Sequence, residues 1–197
     1  MVTLIQLIMI FKLLLFSIIM KYIIVYLIRG EAGKYHKMLV NNFSKKFKIK
    51  NLNYHIQTHI TLKYPFETKN IKDIEKVLMN FSKVQKSSLI KIKKIGHFRN
   101  HVLYLKTEFS KDSKLLFSNL IKILINIPRM RERKIDLIAR DNFHATLGYA
   151  KSEVQFKEMW DFLKTKHFKF NVLFDNITIL KKNDKDRWRI HKIFEIK

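Results

Sequence analysis

Two short segments of the chain carry the same four-residue pattern: His59-Ile60-Thr61-Leu62 and, far downstream, His144-Ala145-Thr146-Leu147. Only eight histidines occur in 197 residues, so two copies of His-x-Thr-Leu are not a by-product of composition. On a β-strand, side chains two apart project to the same face. His59 and Thr61 therefore share one face, with Ile60 and Leu62 turned to the other, and His144 and Thr146 repeat the arrangement. Two imidazoles facing each other across a cleft suit general acid–base chemistry, because an unperturbed histidine titrates near pH ~6.5. One can take the proton of an incoming hydroxyl or water while the other protonates the leaving oxygen. Threonine hydroxyls beside them suit a tetrahedral anion, most simply a phosphodiester, whose non-bridging oxygens gain charge in the transition state. The scheme calls for no metal and no cofactor. Zinc in particular would be short of donors, since neither Cys nor paired carboxylates accompany the two histidines.

Around this pair stand weaker candidates. Lys63 follows Thr61 on the same strand face and could touch phosphate, or simply end the strand in solvent. Arg140 precedes the second motif and could grip a phosphate through its planar fork. Tyr64, Phe98 and Tyr149 could stack on a base or belong to the core. The cluster Arg129-Met130-Arg131-Glu132-Arg133-Lys134 could track an RNA backbone or be a solvated connector. The histidines at 55, 97, 101, 167 and 191 have no repeated partner and read as surface or packing residues.

The elements that must position the motifs also repeat. A helix over 31–47 precedes the first motif strand, and a helix over 113–126 precedes the second. After the first tetrad come a turn at Pro65-Phe66-Glu67-Thr68 and an amphipathic helix with Ile71, Ile74, Val77, Leu78, Phe81 and Val84 on one face. Strands over 88–96 and 101–108 follow. After the second tetrad, Ser152 and Gln155 form a capping-box signature, and the next helix aligns Phe156, Met159, Trp160 and Leu163. Strands over 170–181 and 187–196 close the chain. The expected class is α+β: two pseudo-symmetric lobes of antiparallel sheet, helices on the outer faces, and a central cleft.

Composition narrows the partners. Lys+Arg number 40 against 16 Asp+Glu, a formal net charge of +24, which points to a polyanion: nucleic acid or an anionic membrane surface. Only eight of the basic residues are Arg, and Ile, Asn and Phe are abundant, so AT-rich coding accounts for part of that charge. A 47% hydrophobic content excludes a disordered basic tail, and the absence of Cys excludes disulfides, thiolate zinc sites and a cysteine nucleophile. A non-catalytic basic RNA-binding protein remains an alternative reading.

Residues 1–19 form an apolar extension ahead of the β-branched run Lys21–Ile28, so the folded body is expected to occupy 20–197. The stretch is long enough to span a bilayer, with Lys12 near its middle. It reads either as a membrane anchor or as an artefact of start-codon choice. A cleaved signal peptide fits poorly, for want of a basic n-region. An anchored body would lie on the cytoplasmic side, given Lys21, Arg29 and Lys34; without an anchor the protein is expected in the cytoplasm.

With these residues in view, the chain resembles the 2′-5′ RNA ligase-like branch of the 2H phosphoesterase superfamily over 20–197. KYIIVYLIRGEAGKYHK is similar to its first strand and helix, and HITLKYPFE and FHATLGYA to its two motifs. ITILKKNDKDRWRIHKIFEI is similar to its closing hairpin. The resemblance implies a monomer in which His59 and His144 are the catalytic pair and Thr61 and Thr146 bind phosphate. It also implies action on 2′,3′-cyclic phosphate ends of RNA or nucleotides, with 2′-5′ RNA ligation as a second capacity.

Overall fold

In a computed structural model, residues 20–128, 130 and 142–197 are described. The apolar extension 1–19, Arg140 and all of the 129–134 cluster except Met130 lie outside them. The elements run β1 (Met20–Leu27), α1 (Gly30–Phe47), a 3₁₀ turn (Leu52–Tyr54), β2 (His59–Thr68), α2 (Lys72–Val84), β3 (Ser88–Phe98) and β4 (Val102–Phe109). They continue with α3 (Lys111–Ile125), β5 (His144–Tyr149), α4 (Glu153–Lys164), β6 (Phe170–Phe174), β7 (Asn176–Lys182) and β8 (Trp188–Glu195).

Two antiparallel four-stranded sheets result, ordered β2-β1-β7-β8 and β5-β4-β3-β6. Each motif strand lies at the edge of its own sheet, but the hairpin that follows it joins the other. Thus the β3–β4 hairpin, which comes after the first motif, joins β5 through β4, whereas the β7–β8 hairpin, after the second, joins β1 through β7. The two lobes are therefore built by exchange between the sequence repeats. This interlacing brings residues of both sheets into one continuous core.

The expected strand over 170–181 is two strands, β6 and β7, parted at Asp175 and placed in different sheets. The side chain of Asn176 supplies the reason. Its Oδ1 accepts from Leu27 N (3.0 Å) and its Nδ2 donates to Leu27 O (3.1 Å), so it satisfies the β1 backbone at the point where the chain changes sheet.

Helix faces follow apolar spacing. In α1 the buried stripe is Ala32, Gly33, His36, Leu39, Val40, Phe43 and Phe47, and it packs against β5 and β6; α2 packs against β7 and β8. Ile74, Leu78 and Phe81 of α2 are buried as the spacing predicts, but Val84 is 76% exposed because the helix ends there, beyond the sheet. At α4, Ser152 Oγ accepts from Gln155 N (3.2 Å), the first arm of the expected capping box. The second arm is displaced by one residue: Gln155 Oε1 accepts from Lys151 N (2.8 Å), and its Nε2 donates to Phe47 O (3.0 Å) at the end of α1.

Candidate active site

The two motif strands open onto one cleft of about 420 Å³, whose lining includes His59, Thr61, His144 and Thr146. Thr61 pairs with Val25 and His59 with Leu27, while across the cleft Thr146 pairs with Tyr104 and His144 with Lys106. The intervening Ile60, Leu62, Ala145 and Leu147 are buried in the main core, so apolar burial on one face aims the His-Thr pairs at the other.

Both histidines are held in the same way. His59 Nδ1 lies 2.7 Å from Gln57 O, and His144 Nδ1 lies 2.6 Å from Asn142 O, in each case the carbonyl two residues back. A carbonyl only accepts, so Nδ1 carries the proton in both rings, and in the neutral state Nε2 holds the lone pair. Burial pushes His59 well below its ordinary value, to about 4; the bond to Gln57 opposes this and the proximity of His144 adds to it. Burial lowers His144 as well, partly offset by the bond to Asn142. The free protein at neutral pH thus presents two neutral imidazoles, rather than histidines poised near pH ~6.5. Phe98 and Tyr104 rest against the His144 ring, with centroids 4.8 and 4.9 Å away, and restrict its rotation.

The repeat extends into the backbone irregularities. In β2, Thr61 pairs with Val25 but the next pair is Lys63 with Ile24; in β5, Thr146 pairs with Tyr104 and the next pair is Gly148 with Leu103. The motif leucines, Leu62 and Leu147, are the extra residues of two equivalent β-bulges. A bulge reverses which alternate residues face the cleft. Lys63, expected on the face of His59 and Thr61, is instead 2% exposed and does not line the cleft. Tyr64 and Tyr149, each five residues after its motif histidine, do line it. Tyr149 is 45% exposed, with its ring 5.6 Å from that of His101.

His36 on α1 also lines the cleft and is not singled out by the sequence. Its Nε2 lies 2.9 Å from Thr146 O and its Nδ1 3.0 Å from Thr58 Oγ1, so it ties the second motif to the residue before the first. Burial pushes it to about 4, so it stays neutral. Nε2 then donates to the carbonyl and Nδ1 accepts the Thr58 hydroxyl. The available signal was a polar residue on the apolar stripe of a helix. The wall formed by Ile56, Gln57 and Trp188 was likewise not read from sequence; Trp188 N donates to His55 O (2.7 Å) to hold it. Among the described residues no group of His, Asp and Glu is arranged to hold a metal ion, and no helix is long and apolar enough to cross a membrane.

Comparison with known proteins agrees with this architecture. A protein of Bacillus mycoides (strain KBAB4) named "Putative phosphoesterase" is 27% identical over 145 residues, covering 72% of this chain and 80% of its own length. A similarly named protein of Bacillus cereus (strain AH820) is 26% identical over the same extent. In three dimensions the fold matches TT0787 of Thermus thermophilus with a TM-score of 0.56 at 12% identity, over 90% of this chain and 98% of that one. E. coli LigT, solved in complex with 3′-AMP, matches with a TM-score of 0.53 at 9% identity and the same coverage. The 2′-5′ RNA ligase superfamily matches residues 40–186, a span that contains both motifs, and the chain belongs to that family.

Proposed function

We propose that the protein is a phosphoesterase that opens 2′,3′-cyclic phosphates on RNA ends or nucleotides, with His59 and His144 as the acid–base pair and no metal in the reaction. The observation that carries this is the matched anchoring of the two imidazoles, Nδ1–H to a carbonyl in each, which makes Nε2 the reactive nitrogen in both. One Nε2 removes a proton from water as the water oxygen forms a bond to phosphorus. The bond from phosphorus to one ribose oxygen breaks, and the other Nε2, protonated, gives its proton to that oxygen. The product is a phosphomonoester beside a free ribose hydroxyl. Thr61 and Thr146 donate to the non-bridging oxygens as their charge grows. Because both histidines are neutral in the free protein, the substrate's negative charge must help protonate the acid, as an adjacent anion raises an imidazole pKa. With the 5′-hydroxyl of a second RNA in place of water, and the 3′ oxygen leaving and taking the proton of the other Nε2, the same steps make a 2′-5′ linkage. Tyr64 and Tyr149 flank the centre as surfaces for a base, and Arg140 remains a candidate phosphate contact. Nucleotide complexes of the LigT fold support a nucleotide-sized ligand.

The test is a panel of 2′,3′-cyclic nucleotides, cyclic-phosphate RNA ends and 2′-5′ dinucleotides, assayed with and without EDTA. Turnover of cyclic phosphates that survives EDTA is expected. Absence of turnover across the whole panel, or full activity in a His59→Ala/His144→Ala double variant, would overturn the proposal.

A further inference from the structure

The two lobes match in plan but not in the chemistry of the faces that carry the motifs. In the first sheet, the face shared with His59 and Thr61 is apolar: Ile23, Val25, Leu27 and Leu180 are buried there beneath Ile56 and Trp188. In the second sheet, the face shared with His144 is basic. Lys106 stands directly opposite His144, and Lys94 directly opposite Lys106, so a cross-strand row runs from the histidine over two lysines. Lys91 and Lys93 extend it, and all four lysines are exposed. Among the described residues the carboxylate that answers them is Glu108, whose partner is Lys93 at 2.9 Å. The other face of the same strands, with Ile90, Ile92, Leu103 and Leu105, is core.

Like charges directly opposed across a sheet are destabilising. The Lys94–Lys106 pairing sets two like charges side by side, with Glu108 as the carboxylate that Lys93, Lys94 and Lys106 together hold below its ordinary value, and an anion over the pair would lower the remaining repulsion. The row begins at His144, so a polyanion held along it would be continuous with a group held in the cleft. We propose that this lysine face carries the 5′-side phosphodiesters of an RNA strand whose cyclic-phosphate end lies between His59 and His144. The inference rests on the proposed reaction and adds a direction: the strand leaves over the second sheet, away from the apolar first one.

The experiment compares kcat/KM for a 2′,3′-cyclic mononucleotide with that for a tetranucleotide ending in the same cyclic phosphate, over a range of salt. Wild-type protein is expected to prefer the tetranucleotide on the order of tenfold at low salt, with the preference shrinking as salt rises. In Lys94→Gln/Lys106→Gln the preference should fall toward one, and the logarithmic salt slope for the tetranucleotide should drop by about 1.4, roughly 0.7 per lost single-strand phosphate contact. Equal kcat/KM for the two substrates in the wild type, or an undiminished preference in the variant, overturns the inference while the reaction stands. So does loss of binding to phosphatidylserine vesicles in the variant without any tetranucleotide preference in the wild type. If neither substrate turns over, the reaction fails, and tetranucleotide affinity by fluorescence anisotropy decides the face separately. A salt slope lost in the variant supports the face, and an unchanged slope overturns it.

Discussion

His36 and Thr146 lie 110 residues apart in sequence, yet the imidazole Nε2 of the first donates to the backbone carbonyl of the second at 2.9 Å. The other ring nitrogen accepts from the Thr58 hydroxyl, next to His59. One buried neutral ring on α1 thereby sets the spacing of the two motif strands. Replacing it with phenylalanine keeps much of the volume and removes both bonds. His36→Phe should cost about 2 kcal/mol of stability, since a buried polar group left unpaired costs roughly 1–3 kcal/mol. Urea unfolding measures this. An unchanged midpoint would mean that the ring merely fills space.

Acid should loosen the same contact. In the unfolded chain His36 takes its proton near the ordinary histidine value of 6.5, and in the folded protein only at about 4. Between those values the unfolded state binds more protons, so stability falls as pH drops through the window and is unaffected above it. The contribution from His36 alone is about 3 kcal/mol at the acid end, at roughly 1.4 kcal/mol per pKa unit. Chemical denaturation at a series of pH values should show this decline in the wild type and a shallower one in His36→Phe.

Substrate charge and histidine protonation should be linked. Both motif histidines sit below their ordinary values in the free protein, His59 through burial and the nearby His144. A phosphate monoester entering the cleft brings opposite charge and raises them. Calorimetry of 3′-AMP binding near pH ~6, repeated in buffers of different ionisation enthalpy, should therefore show net proton uptake. Binding with no uptake would mean that the phosphate does not contact the imidazoles.

The two residue types of each motif should fail by different amounts. His59→Ala and His144→Ala are expected to lower kcat by roughly 10²–10⁴-fold, the usual worth of a positioned acid or base. Thr61→Val and Thr146→Val should cost about 10²-fold, through loss of one donor to the developing charge. Circular dichroism should stay native in all four, because the core residues Ile60, Leu62, Ala145 and Leu147 are untouched. A larger loss in a Thr variant than in the His variant of the same motif would argue that the histidines bind rather than transfer protons.

Much of the architecture is legible in the sequence. Alternation of polar and apolar residues marked the motif strands, and 3.6-residue periodicity marked α2 and α4, because burial on one face imposes those periods. The strand change at Asp175 was not legible, since Phe170–Lys182 is continuously strand-like and only the Asn176 amide bonding to Leu27 divides it. Nor was the reversal at Lys63 and Tyr64, because the bulge at Leu62 is fixed by pairing with β1, which no local pattern reports.

By itself, then, the sequence determined the chemistry on offer: two His-x-Thr pairs, each with a hydrophobic partner face, in a strongly basic chain without cysteine. Residue type and strand period suffice for that, since both are local. Tertiary structure alone decided which neighbours those pairs have. The exchange of hairpins placed β3 and β4 beside His144, and so put Lys94 and Lys106 in its row while β1 and β7 gave His59 an apolar floor. Equivalence in sequence became asymmetry in the site because cross-strand register joins residues that are distant in the chain.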